Sequence, residues 1–236
     1  MVGYLRMTWQ CLLVLFVLNS GRAKAIEVTD VFRFEDYIPY VQANFTGSFT
    51  NLDSGGFNTA GFFANSNHDT DSNVSFGGTF GLMQERESFR IRPEFEAMWR
   101  QDAEYVTDSF PGPPGPITFF YDVRSSDNWS TLANLWLDAP ITDHVLLYGG
   151  GGIGAAGMHL SVTDNVVSGQ ATSSNFAWQA GAGFIVPVSD IFEFDLGYRF
   201  LDMGTASVAL DGGSSGNYLA DLVSHNLMFS VRLYVP

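Results

Sequence analysis

The sequence predicts an all-β chain, a closed antiparallel up-and-down transmembrane β-barrel of about eight strands preceded by a signal peptide. Three observations predict it. Apolar and polar residues alternate with a period of two over eight separate stretches. The connections between those stretches alternate between short and long. The composition is 15% aromatic with 25 glycines and only 15% charged residues, which suits many strands and tight turns.

Residues 1–25 have the three-part form of a secretory leader. Arg6 lies in a short N-terminal region, Cys11 to Leu18 is an apolar run too short to span a bilayer, and Ala23 and Ala25 flank the expected cut. The barrel domain is then 26–236. Cys11 is the chain's one cysteine, so the mature chain has no thiol. The leader takes Arg6, Arg22 and Lys24 with it and no acid, leaving eight arginines, no lysine and 25 acids, a net charge of −17. Such a chain is repelled by phosphate, which excludes nucleic acid as a partner. The aromatic content excludes acidic disorder.

The first stretch sets Val41, Ala43, Phe45, Gly47 and Phe49 against Tyr40, Gln42, Asn44, Thr46 and Ser48. Phe76, Gly78, Phe80 and Leu82 oppose Ser75, Gly77, Thr79 and Gly81. In the third, Phe89, Ile91, Pro93, Phe95, Ala97 and Trp99 share one face. Arg90, Arg92, Glu94, Glu96 and Arg100 share the other, with Met98 the exception. Next, Trp129, Thr131, Ala133, Leu135 and Leu137 oppose Asn128, Ser130, Asn134 and Asp138. The fifth, Val145 to Ala156, is glycine-rich and its faces are not resolved by pattern. Phe176, Trp178, Ala180, Ala182 and Phe184 oppose Gln179, Gly181 and Gly183. Phe192, Phe194, Leu196, Tyr198 and Phe200 oppose Glu193, Asp195, Gly197 and Arg199. The last sets Val223, Leu227, Phe229, Val231 and Leu233 against Ser224, Asn226, Ser230 and Arg232. Aromatic bulk on one face with both signs of charge on the other fits a barrel with lipid outside and a paired polar network inside. An even count leaves no open edge.

Short connections fall near 84–88, 139–144 and 187–191. Long ones cover about 51–73, 101–127, 157–175 and 203–221, and are expected to be acidic extracellular loops. One carries Pro111-Gly112-Pro113-Pro114-Gly115-Pro116, which blocks helix and ladder alike. Two uncharged stretches, 145–163 and 165–189, could suggest transmembrane helices. Six glycines within 149–157, each costing about 1 kcal/mol in a helix, argue against the first. A run of serines and amides interrupts the second.

The interior charges Arg90, Arg92, Glu94, Glu96, Arg100, Asn134, Glu193, Asp195 and Arg199 are the best site candidates. Eight strands enclose a space that side chains can fill, so a packed salt-bridged core is expected. The alternative is a narrow, cation-preferring channel, with glycines at 77, 81, 181, 183 and 197 leaving gaps. A lipid-modifying enzyme is the third reading. The local pair for it, Ser224-His225, puts its two members on opposite faces of a strand, so no catalysis is expected. His68, His144, His159 and His225 have no ligand spacing, and Asp69-Thr70-Asp71 lacks the rest of a calcium loop. No metal and no cofactor are expected.

Several strings resemble the outer-membrane β-barrel domain family that includes the OmpA-like transmembrane domain and opacity-type surface proteins. They are Ala133 to Asp138, Tyr148 to Gly154, Trp178 to Gly183, and Asp195 to Phe200 followed by Asp202. The resemblance implies a monomer in a Gram-negative outer membrane with a structural or surface role, contacting lipid and, through its loops, a surface partner. It also implies that Asn134, Glu193, Asp195 and Arg199 point inward. The chain ends Val231-Arg232-Leu233-Tyr234-Val235-Pro236, keeping alternation but with proline last and the aromatic on the inner parity.

Overall fold

The computed structural model describes residues 37–59, 62–63, 69–109, 119–163, 168–211 and 216–235. The expected leader at 1–25 and the proline-rich segment 111–116 lie outside them. The strands are β1 (Tyr37–Thr59), β2 (Phe62–Phe63), β3 (Asp69–Glu85), β4 (Arg90–Arg100), β5 (Ala103–Ser109), β6 (Phe119–Thr142), β7 (Val145–Thr163), β8 (Ser168–Ser189), β9 (Phe192–Leu210) and β10 (Gly216–Tyr234). Every pairing is antiparallel. The ring runs β1-β3-β4-β6-β7-β8-β9-β10 and closes through β10 on β1. It has eight members, with β5 continuing the line of β4 along β6 and β2 folded back on the end of β1. Both stretches that could suggest helices are strands, β7 and β8.

The register fixes the tilt. From Val41 the paired residues are Phe80, Phe95, Ala133, Ile153, Trp178, Asp202 and Val223, and the path returns to β1 at Asn51. One circuit therefore climbs ten residues along β1. For eight strands this stagger corresponds to a tilt of about 40°. Residues at one height consequently gain roughly one position per strand, which sets Phe49, Trp99, Trp129 and Trp178 on nearly one level of the outer face. They form the aromatic girdle remote from the short turns. Below it Phe45, Phe80, Phe95, Leu135, Ile153, Phe184, Leu196 and Leu227 are exposed in an apolar band.

The segments expected as long loops are largely strand instead, because all four hairpins continue well past the girdle. The physical reason is a change of solvent. Beside lipid the apolar residues face out, whereas beyond it water lies outside and the apolar residues turn in. On β7, Met158, Leu160 and Val162 are buried while His159, Ser161 and Thr163 face out. On β9, Ala206, Val208 and Leu210 are buried, with Thr205 and Ser207 outside. These residues join Leu52, Tyr105, Val123, Met203, Tyr218 and Leu222 in one apolar core inside the upper barrel.

Candidate functional site: the charged interior

Below that apolar core the interior is ionic, and alternation on each strand aims the charges inward. Nearest the short turns, Glu193 accepts Arg90 Nη1 at 2.7 Å, Arg232 Nη1 at 2.6 Å and the Tyr234 hydroxyl at 2.8 Å. Arg232 also reaches Asp195 Oδ2 at 3.1 Å and Gln42 Oε1 at 2.9 Å. Its guanidinium lies 5.0 Å from the Tyr40 ring centroid.

Beside this group, Arg92 forks onto Asp138, with Nε–Oδ2 at 2.6 Å and Nη2–Oδ1 at 2.9 Å, and meets Glu94 Oε1 at 2.5 Å. Glu94 also accepts the Tyr40 hydroxyl, and the Trp136 indole N–H at 2.8 Å. In the next layer Arg199 pairs with Glu96. Gln179 donates to Glu96 Oε1 at 3.1 Å and to Asn134 Oδ1 at 2.8 Å. Trp136 lies under the Arg199 guanidinium at 4.5 Å.

Eight of the nine residues singled out in the sequence thus sit in this network. Arg100 faces inward but donates to Ser130 Oγ at 3.0 Å and makes no ion pair among the described residues. It lies above the carboxylates, in register with Ser75 and Asn128, so it does not join the ion pairs of the packed salt-bridged core in which it was expected. Among the described residues the five inward arginines (90, 92, 100, 199 and 232) equal in number the five inward carboxylates (Glu94, Glu96, Asp138, Glu193 and Asp195), so their formal charges cancel. Pairing offsets much of the cost of burying charge, and Arg100, which lacks it, is only partly buried and bonded to Ser130.

The sequence reading left out Asp138, Arg232, Tyr40 and Gln179, although each lies on the polar face of its stretch. Trp136, Tyr148 and Tyr234 were harder to find, because large rings on the charged side break the alternation. Glycines make room for two of those rings and for Asn134, since a Cβ on Gly150 would meet the Trp136 ring. A Cβ on Gly152 would collide with the Asn134 side chain, and one on Gly197 with the Tyr148 hydroxyl. The glycine-rich face of β7 is thus where its neighbours' side chains lie flat.

Ser224 is buried and bonded to Asn226 at 3.0 Å, while His225 faces out to Tyr198 at 2.6 Å. The two therefore cannot act together. Among the described residues no group of three or more His, Cys, Asp or Glu could hold a metal ion.

Residues 26–232 match the family described as outer membrane protein beta-barrel domain. The chain belongs to that family. It is accordingly an outer-membrane barrel of the Gram-negative type. No curated protein matches the chain. Among solved structures, the outer membrane protein OprG from Pseudomonas aeruginosa is similar over 82% of this chain and 96% of its own, at 11% identity and a TM-score of 0.51. Neisserial surface protein A is similar over 84% and 97% respectively, at 14% identity and a TM-score of 0.44. The outer membrane protease OmpT from Escherichia coli is similar over 85% and 97%, at 8% identity and 0.45. At these identities the OprG likeness speaks to the fold alone.

Proposed function

We propose that this family member is a monomeric structural and surface-display protein of the outer membrane, with a closed lumen, and is neither a channel nor an enzyme. The observation that carries this reading is what fills the inward glycine positions, where gaps would be needed for conduction. Met98 lies against Gly77, Tyr40 against Gly81, Arg199 against Gly181, and Tyr148 against both Gly183 and Gly197. The apolar core of the upper barrel adds a second closure above the ionic one. The extended hairpins then act as a stiff stalk whose outer rim carries exposed Asp102, Glu104, Asp122 and Asp127. Such a rim favours surface partners of positive charge.

Single-channel recording of the refolded barrel tests this reading, and no ohmic conductance is expected. Stable cation-selective steps would overturn it and establish the channel.

A further inference from the structure

At the upper girdle one outward cluster differs from the aromatic residues around it. Asp202 faces outward on β9, at the level of Trp178 and beside lipid-facing rings. Its Oδ2 accepts the Trp178 indole N–H at 3.2 Å, and its Oδ1 accepts the Gly204 amide at 2.8 Å. Gly204 has φ +75°, a conformation glycine takes freely, and this turns the amide back onto the carboxylate. The Trp178 and Phe200 ring centroids are 5.2 Å apart, and the Phe200 and His225 centroids 5.6 Å. The Tyr198 hydroxyl meets His225 Nδ1 at 2.6 Å. With the phenol as donor, the neutral imidazole keeps its proton on Nε2 and can donate it elsewhere. Asp202 pairs with Val223 and His225 with Phe200, so Asp202 and His225 are diagonal neighbours, roughly 7–8 Å apart.

We propose that Asp202 and His225 form a binding site for the phosphoethanolamine head group of a membrane lipid. The ammonium sits on the Asp202 carboxylate against Trp178 and Phe200, and the phosphate accepts from His225 Nε2–H. A carboxylate flanked by aromatic faces calls for a cation. The chain does not supply it. Beyond residue 25 the sequence has no lysine. Arg124, the exposed arginine at this end among the described residues, is held by Asp102 at 2.8 Å and Glu104 at 3.6 Å. A divalent metal would require several more oxygen ligands than one carboxylate provides. The neighbouring Asp221 is engaged by Thr205. The cluster faces the bilayer at head-group height, so the cation arrives on a lipid, and an imidazole donor one diagonal away matches the phosphate of the same head group.

The test is native mass spectrometry of the full barrel released from nanodiscs. The discs contain phosphatidylglycerol with an equal share of phosphatidylethanolamine, its N,N-dimethyl form, or phosphatidylcholine. Retained lipid should follow the order ethanolamine, dimethyl, choline, with phosphatidylglycerol lowest. Asp202→Asn should lower ethanolamine-lipid retention about tenfold, and His225→Phe should lower it too. Both variants must keep the heat-shifted gel mobility of the folded barrel. If either fails to fold, the lipid series on the unmodified protein still decides. Equal retention of ethanolamine and choline lipids, or retention indifferent to Asp202→Asn in a folded barrel, overturns the proposal. So does Asp202-dependent binding of an oligolysine peptide without lipid selectivity, because the occupant would then be a basic protein segment.

Discussion

Replacing Arg92 by glutamine should be among the most damaging single changes in the ionic interior. Arg92 is 1% exposed and holds Asp138 through two bonds and Glu94 through a third. Glu94 keeps its Tyr40 and Trp136 donors after the change. Asp138, fully buried, loses both of its ion-pair contacts. Stranding a buried charge in this way costs about 3–5 kcal/mol. A second change, Asp138→Asn, removes the stranded charge and should recover a large part of that loss, since deleting both partners costs far less than deleting one. The assay is equilibrium urea unfolding in lipid vesicles, followed by tryptophan fluorescence and gel mobility. The double-mutant cycle gives the coupling directly. A loss below about 1 kcal/mol for Arg92→Gln, or strict additivity of the two changes, would mean that water solvates these groups and that the lumen is wet.

Phe95 is 56% exposed near the middle of the apolar band, so Phe95→Arg should cost roughly 2–4 kcal/mol in the same unfolding assay. Met98→Gln, three residues on but facing in, should cost less, and equal losses would refute the facing assigned to β4. Gly197→Leu must displace the Tyr148 ring and should destabilise by about 1–3 kcal/mol, whereas an open lumen would accept it at little cost. A cysteine at exposed Thr172 should react with an impermeant maleimide on intact cells while one at Ser189, beside a short turn, should not; the reverse pattern would invert the topology.

Sequence alone was enough to assign the faces of the transmembrane stretches, the glycine-rich one at 145–156 excepted. Alternation with period two is a strictly local property, so Phe95 and Trp99 against Glu94 and Glu96 already define two faces, and aromatic bulk opposite paired charge already says which face meets lipid. Hairpin-length turns at one end give the antiparallel order, because no crossover can be made in so few residues. What the local pattern could not carry is where the outer solvent changes. Met158, Leu160 and Val162 alternate as faithfully as Phe194, Leu196 and Tyr198, but with the apolar side turned in. A pattern that reverses meaning part-way along a strand reads as an interruption, and so the upper halves of the hairpins looked like loops. The identities of the ion pairs were equally out of reach. Arg90 meets Glu193, and Arg199 meets Glu96, across 103 residues of chain, and only closure of the ring with its ten-residue stagger brings them to one height. The same stagger lifts Arg100 clear of the carboxylates on other strands, whereas Tyr148 reaches Gly183 and Gly197 through the registers of adjacent strands. Each residue's face is set by its own strand, but its partner across the lumen is set by the stagger accumulated around the ring.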